Sequence, residues 1–523
     1  MQLSRAGWCP RHHTALHPAR HARAVPAAAT SNVPAVVTPH SGYHWDGLPR
    51  RFFEGWYFKV TIPENGQSFA LIYSIEDPSN PSSPVGGVGV QVMGPDDGYI
   101  CQFSRDTEPF WASRHNLELG ATLKPKPTAA GQRQLRRPVP QAEFSAAVEQ
   151  GFQASPTWHQ GSIVAAETGT PGPPLSTVAD CSWAFSMTPK VGWGDAPGAA
   201  VSSNLNATAA GAGWGSGSAA GERQQQGNAL AAMLGGRSQR ATAGWLSMLA
   251  VFEPHWQVLM AEGSATGWME WGGKRYEFSD APGYAEKNWG GGFPSKWIWV
   301  QCNTFDTPGL SVTAVGARRQ LLLGVQGVEE DVGMLGIHLP DGTFLELVPW
   351  AGEVEWSADP WGRWWLRGRA AGYEAVLEAT CGADDGAVLR APTADNGLAP
   401  HCKGRAAGYE AVLEATCGAD DGAVLRAPTA DNGLAPHCKD TFFGKCRLRV
   451  WKLDSQGRVP ASAAPIVDSQ SSTAALEVGG GPWWGPWSAK AKMLEPFRSL
   501  VQLPIDVGVI SRTLPDLLKP PGL

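Results

Sequence analysis

Between residues 50 and 62 the chain reads RRFFEGWYFKVTI. Aromatic and β-branched residues dominate and no helix-period stripe competes, so the pattern predicts a β-strand. Side chains two apart share a strand face. Phe52, Glu54, Trp56, Phe58 and Val60 therefore line one side, and Arg51, Phe53, Tyr57, Lys59 and Thr61 the other. A single carboxylate stands on an otherwise apolar face. The alternation of aromatic or branched runs with turn residues continues through SFALIYSIED, DPSNPSSP and GVGVQVMG. Strands are predicted again in GWLSMLAVFEPHWQVLM, TGWMEWGGKRYEF and KWIWVQCNTF, and a second β-rich block follows. Helical periodicity is sparse before the tail, where AKMLEPFRSLVQLPI and RTLPDLLKP predict short helices interrupted by Pro504 and Pro515. The pattern as a whole predicts a mainly β protein.

Two segments break it. Residues 123–147 are rich in Pro, Gln and Arg, and residues 196–243 hold little that packs, so both read as disordered surface insertions. A third irregularity is exact: GRAAGYEAVLEATCGADDGAVLRAPTADNGLAPHCK occupies 368–403 and recurs unchanged at 404–439. A solenoid needs at least three diverged copies, so a recent duplication or an extraneous copy is the better reading. Only one copy can take the strand positions of a fixed-order sheet. Its doubled Cys402/Cys438 and His401/His437 are therefore not a four-ligand metal set.

Composition narrows the class. A chain of 523 residues is long enough for two domains. Charged residues are 17% and the net charge is −6, so no basic field invites nucleic acid. The 24 Trp supply large flat apolar surfaces with donor-only edges, suited to an apolar, ring-bearing or cationic guest. Nine cysteines form no CxxC pair and read as ordinary thiols. The first acidic residue is Asp46, and the Arg-, His- and Ala-rich stretch before it has no apolar signal region, as in an organelle transit peptide over 1–37. No apolar run reaches the length of a transmembrane helix.

Glu54 is the sharpest chemical candidate. Burial on an aromatic face raises a carboxyl pKa and keeps the group protonated near neutrality, which makes it an acid. The competing account is a buried Glu satisfied by an arginine such as Arg50 or Arg114, or by a Trp N–H. In FEPHWQ, Glu253, His255 and Gln257 share a face, for which solvation is the default. In GYAEKNWGGGF, Glu286, Asn288 and Trp289 precede three glycines, which without GxGxxG or GK[ST] suit a loop at a pocket mouth better than a phosphate site. His40, His44 and Asp46 in HSGYHWDG could hold a divalent metal only on a helix, and their glycines favour a hydrogen-bonded loop.

Taken together, PHSGYHWDG, RRFFEGWYFKV, GPDDGYICQ, GFQASPTWHQG, FEPHWQ, GWMEWGGKRYEF, APGYAEKNWGGGFPSKWIWVQCN, LRAPT, AALEVGGGPW and LLKPPGL resemble the tocopherol cyclase family of plants and algae, over nearly all of residues 38–523. The resemblance implies a plastid enzyme that closes the chromanol ring of a prenylated benzoquinol with no cofactor and no metal, in contact with plastid lipid droplets, the plastoglobules. Wider relatives, the carotenoid hydratases among them, imply two lipocalin-like β-barrel domains packed together, here 38–285 and 286–487, with a short helical tail over 488–523. YAEKNWG looks like the relatives' cavity motif, with Asn288 where the hydratases are expected to have His.

Ring closure adds a phenol O–H across a trisubstituted alkene. It requires a protonated carboxylic acid, π-faces for the developing cation, and an acceptor for the phenolic proton. Glu54 is the expected acid. His255, Glu253 and Glu286, in that order, are the expected acceptors. Trp56, Trp268, Trp271 and Trp289, with Tyr57 and Asn288, are the expected substrate contacts. Three alternatives stand beside this. A non-enzymatic lipid carrier would also use a Trp-lined barrel, but has no use for an inward acid without a cationic partner. A hydratase-like enzyme would have water, and not the substrate's own hydroxyl, attack. A structural plastoglobule coat protein would have an exposed apolar surface and no cavity.

Overall fold

The computed structural model describes residues 36–80, 82–127, 136–194, 237–249, 252–321, 328–359, 361–370, 373–376, 408–417, 422–454, 458–481, 485–503 and 505–523. The expected transit peptide lies outside these residues but for its last two positions, as does most of 196–243. Strands dominate, as the alternation predicts. The opening motif forms β1 (Phe53–Ile62), and a long hairpin of β2 (His255–Trp271) and β3 (Lys274–Gly290) pairs with it.

β1 to β3 sit in the middle of an antiparallel sheet, eleven-stranded among the described residues, that runs from Tyr99–Ser104 at one edge to Phe110–Ala112 at the other. The sheet curls. The Phe103 N–H reaches the Ala166 carbonyl at 2.8 Å and the Ala166 N–H reaches the Cys101 carbonyl at 3.0 Å, so the first edge meets the chain beyond Trp158–Val164. Trp56, Phe58, Val60, Leu71, Phe152, Trp183, Phe185 and Trp271 fill the interior of the curl.

A second curled sheet, thirteen-stranded among the described residues, contains β4 (Lys296–Cys302), β5 (Gly433–Leu453) and β6 (Val467–Gly479) as neighbours in the order β4, β6, β5. It closes on its own core of Ile298, Val300, Val312, Leu335, Trp356, Trp364, Leu448 and Leu476. The architecture is thus the expected pair of barrel-like β-sheets packed together. Tyr57, Trp256, Val258, Tyr284, Trp297, Trp299 and Phe442 form the apolar layer between the two sheets. Both faces of β1 are therefore covered, Trp56 and Phe58 buried inside its own sheet and, against the other, Lys59 buried and Tyr57 half-buried.

Three expectations about organisation meet specific residues. The boundary at 285/286 falls inside β3, which belongs to the first sheet as far as Gly290. Within 123–147, the stretch 128–135 is outside the described residues, while Val139 and Phe144 are buried against Val148. In the duplicated region the second copy supplies the strands Gly408–Thr416 and Ala423–Thr429 and the start of β5. From the first copy a short strand, Tyr373–Val376, takes equivalent positions: Ala375 and Ala411 both align with Val450. Two identical segments thus align with one slot, and most of residues 371–407 lies outside the described residues.

The tail runs from the strand Trp487–Ala491 through two short helices. Phe497–Val501 falls within the first stretch expected to be helical, whereas Val507–Thr513 lies mostly between the two expected stretches, and RTLPDLLKP itself holds only a single tight turn at Asp516–Leu518. Its end returns to the first sheet. Gly42 N–H donates to the Gly522 carbonyl at 3.0 Å, Gly522 N–H donates to the Arg114 carbonyl at 3.1 Å, and Leu523 is buried with Ala241 and Val507. The tail thus crosses from one sheet to the other.

Candidate active site

β3 puts two ionisable groups on opposite faces one residue apart. Lys287 lies opposite Trp56 and points to the inner face of the first sheet, whereas Glu286 lies opposite Tyr57 and points to the layer between the sheets. Each meets a different set of partners.

On the inner face, Glu54 is fully buried and is paired with the equally buried Lys287 ammonium. The same carboxylate accepts the His44 backbone N–H at 2.8 Å and lies 3.1 Å from His44 Nδ1. Lys287 also donates to the Gly42 carbonyl at 2.6 Å and sits 5.2 Å from the Trp56 ring centroid and 5.4 Å from that of Trp289. Trp289 stacks on His44 at 3.8 Å and on His255 at 5.1 Å. Burial raises the Glu54 carboxyl and lowers the Lys287 ammonium, and each partly offsets the shift of the other. The expectation of an unpaired acid at Glu54 is therefore corrected. A cation does satisfy it, but from the neighbouring strand and not from Arg50 or Arg114. A buried pair with its remaining lone pairs hydrogen-bonded is a structural clamp, costly to break from one side.

The loop residues join this clamp. His40 Nδ1 is 3.2 Å from His44 Nε2, and its Nε2 is 2.8 Å from Ser247 Oγ, while Asp46 turns away to Arg50 at 2.7 Å. Burial, with Lys287 close by, holds both imidazoles well below their usual range, so they are neutral. The expected solvation of the FEPHWQ polar face is also overturned. His255 donates to the Leu249 carbonyl at 3.0 Å, Glu253 accepts the Gly291 N–H at 2.5 Å, and Gln257 is buried against Thr242 and Val258. Gly291 allows that approach, since a Cβ there would fall 2.4 Å from the Glu253 oxygen.

On the other face of β3 lies a cavity of about 530 Å³ between the two sheets. Glu286 and Asn288 of β3, Trp256 of β2, Trp297 and Trp299 of β4, and Glu477 of β6 line it, with Phe293 and Pro294 from the loop after the three glycines. Leu494, Phe497 and Leu500 of the tail form its rim. The volume and the apolar walls with a few convergent polar groups suit a small-molecule site. Glu286 accepts the Tyr284 hydroxyl at 2.6 Å and Trp299 Nε1–H at 3.1 Å. No cation among the described residues is paired with it. Burial pushes its carboxyl up to about 7, and the Glu477 charge adds to that shift. Glu477 accepts the Trp297 indole N–H, and burial raises it to about 6. Trp297 can lie flat there because Gly479 has no Cβ, which would fall 1.9 Å from the ring.

Of the residues expected at a site, the cavity thus contains Glu286 and Asn288. Trp56, Trp289, His255 and Glu54 gather in the clamp, and Glu253 holds the glycine loop. Tyr57 packs between the sheets beside the Trp299 ring at 5.5 Å. Trp268 is half-buried with the Arg275 guanidinium 4.1 Å from its ring, and Trp271 fills the first sheet's core, so neither meets the cavity. Sequence reasoning missed Glu477, Trp256, Trp297 and Trp299. The signal was present for Glu477: in AALEVGG it is a lone carboxylate in an apolar strand, as Glu54 is in its own.

The tocopherol cyclase-like family model matches residues 50–409 and again 403–480. The chain belongs to the tocopherol cyclase-like family. The match restarts at the second of the two identical copies. Among relatives of the family, a Zea mays protein named "Tocopherol cyclase, chloroplastic" is 39% identical over 503 residues, covering 93% of this chain and 86% of the relative. An Oryza sativa subsp. japonica protein named "Probable tocopherol cyclase, chloroplastic" is 38% identical over 509 residues, covering 95% and 89%. Among solved structures, kievitone hydratase from Nectria haematococca matches at a TM-score of 0.33 and 9% identity over 87% of this chain and 95% of that one, a likeness that carries no argument about chemistry. For the tocopherol cyclase-like chain described here, no helix among the described residues is long and apolar enough to cross a membrane.

Proposed function

We propose that this chain is a chloroplast tocopherol cyclase, an intramolecular lyase of the isomerase class, with Glu286 as its acid and Glu477 as its proton acceptor. The observation that carries the assignment of the acid is the setting of Glu286: a buried carboxyl facing an apolar cavity, raised to about 7, with no cationic partner among the described residues. A carboxyl of that pKa is still partly protonated near neutrality, where an ordinary glutamate is not.

In the proposed reaction the Glu286 proton passes to the prenyl alkene. The alkene π pair forms the new C–H bond and leaves a tertiary cation at the adjacent carbon. The faces of Trp256, Trp297 and Trp299 are each able to stabilise that charge by about 0.5–2 kcal/mol when desolvated. The phenol oxygen closes the ring on the cation, and its proton goes to the Glu477 carboxylate. No atom is gained or lost. Transfer of one proton back from Glu477 to Glu286 completes the cycle. An apolar cavity excludes the water that would otherwise trap the cation.

Access from a lipid phase is supported by the rim. Leu494, Phe497 and Leu500 line the cavity and are nevertheless 71%, 66% and 44% exposed. A contiguous apolar rim of this kind suits contact with plastid lipid droplets, the plastoglobules, where a prenylquinol with an apolar tail would reside.

The test is anaerobic conversion of reduced dimethylphytylbenzoquinol by the full chain, followed by chiral chromatography of the chromanol. Wild type is expected to form one enantiomer and Glu286→Gln to lose about 10²–10⁴-fold in rate, the usual contribution of a positioned acid. Glu54→Gln, assayed where it remains folded, is expected to keep its activity. An active Glu286→Gln refutes this assignment of the acid, and wild type that binds quinol without turnover moves the reading to a lipid carrier.

A further inference from the structure

Behind Glu477, away from the cavity, lies a second acid that the reaction as drawn does not use. Asp440 of β5 is the register partner of Glu477 on β6. Directly opposed residues of antiparallel strands share a face, with their Cβ atoms about 4.5–5.5 Å apart. Asp440 is fully buried, and neither of its carboxyl oxygens has a side-chain hydrogen-bond partner. Glu477 is half-buried and lines the cavity.

The surroundings do not neutralise this pair by direct contact. Lys59 of β1 is the nearby cation, and its ammonium is committed to Gln301 Oε1 at 3.2 Å and the Thr473 carbonyl at 3.3 Å. Asp97 faces Asp440 from the first sheet as a further acid, held by the Gly422 N–H at 2.8 Å, the Phe442 N–H at 3.0 Å and the Thr441 hydroxyl at 2.5 Å. The Tyr57 hydroxyl of β1 is close enough to sense the Asp440 charge and has no hydrogen-bond partner itself, and the Cys438 thiol, on the strand of Asp440, donates a hydrogen bond to the Glu477 carboxylate. Two carboxyls facing each other in a buried site cannot both be ionised without large repulsion, so such pairs retain one proton over a wide range of pH.

We propose that Asp440 and Glu477 form a proton-sharing carboxyl dyad in which Asp440, the member remote from the cavity, holds the proton and positions Glu477 as an ionised acceptor. A protonated Asp440 can donate an O–H···O⁻ bond to Glu477, the strong charge-assisted type. The consequence is chemical. A lone glutamate in an apolar cavity would take up a proton at rest and be useless as an acceptor, whereas one hydrogen-bonded to a neutral acid stays ionised at lower pH. Burial and the Glu477 and Asp97 charges act to keep Asp440 protonated, offset in part by Lys59 and the Thr441 backbone N–H. Asp440 is a positioning residue and does not touch the substrate. The proposal rests on the reading of Glu477 as acceptor, so the two are tested separately.

For Glu477 the variant is Glu477→Gln, expected to lose at least 10²-fold in turnover; an active Glu477→Gln overturns the acceptor reading itself. For Asp440 the variants are Asp440→Asn, which keeps a donor toward Glu477, and Asp440→Ala, which does not. The acidic limb of the kcat/KM profile is expected to stay in place in Asp440→Asn and to move up by about one pH unit in Asp440→Ala. Unmoved limbs in both, with only stability lowered, overturn the dyad. Infrared spectroscopy of the folded full chain at alkaline pH gives an independent reading on the isosteric variant. Wild type should show a protonated-carboxyl band that Asp440→Asn lacks, and identical spectra would also overturn it.

Discussion

If Glu286 is kept protonated by burial, the protein carries a cost that a neutral isostere removes. The native carboxyl lies at about 7 and the ordinary value is 4.5. A shift of that size corresponds to about 3 kcal/mol at about 1.4 kcal/mol per unit. The sign follows from proton binding. Between the two values the native state holds the proton and the unfolded chain does not, so stability falls as pH rises through this window. Above the native value the full cost of an ionised buried carboxylate is present; below the ordinary value it is absent. Gln can accept the same two hydrogen bonds from Tyr284 and Trp299 and never ionises. Urea unfolding of wild type and Glu286→Gln, run at several values between about pH 5 and pH 8, should therefore give a difference that favours the variant and grows with pH. It should approach about 3 kcal/mol at the alkaline end. The variant should be more stable and inactive together. A difference that is constant with pH would refute the claim that burial, and not some other feature of the site, sets the protonation of Glu286.

The clamp makes the opposite prediction. Glu54→Gln leaves the buried Lys287 ammonium without its charge partner and should cost about 3–5 kcal/mol in urea unfolding, while Glu54→Gln with Lys287→Met should recover much of it. Removal of one copy of the 368–439 duplication should leave the melting temperature unchanged or raised, because the two copies align with the same positions beside Val450; a clear fall would show that both copies are structural. Replacing Leu494 and Phe497 by Ser should raise KM for quinol presented in lipid vesicles and leave kcat for detergent-dispersed quinol unaltered, with equal losses in both assays counting against the rim as a lipid contact.

Local pattern was enough for the mainly β class, for β1 and its turn-punctuated neighbours, and for the first short helix of the tail, because strand and helix periods are properties of adjacent residues. It was enough also to mark Glu54 as buried. What it could not decide was which buried acid meets the cavity. An alternating strand announces two faces, and a face is recognised as inner only when the other is wet. In β1 and β3 both faces are covered, one inside the first sheet and one between the sheets, so Glu54 and Glu286 look alike in sequence yet belong to different environments. The partner that turns Glu54 into a clamp lies on β3, and the second acid of the cavity lies on β6 in the other sheet. Chain alternation assigned side chains to faces; packing of one curled sheet against another assigned those faces their chemistry, because the charge state of a carboxyl depends on the groups that distant strands bring beside it.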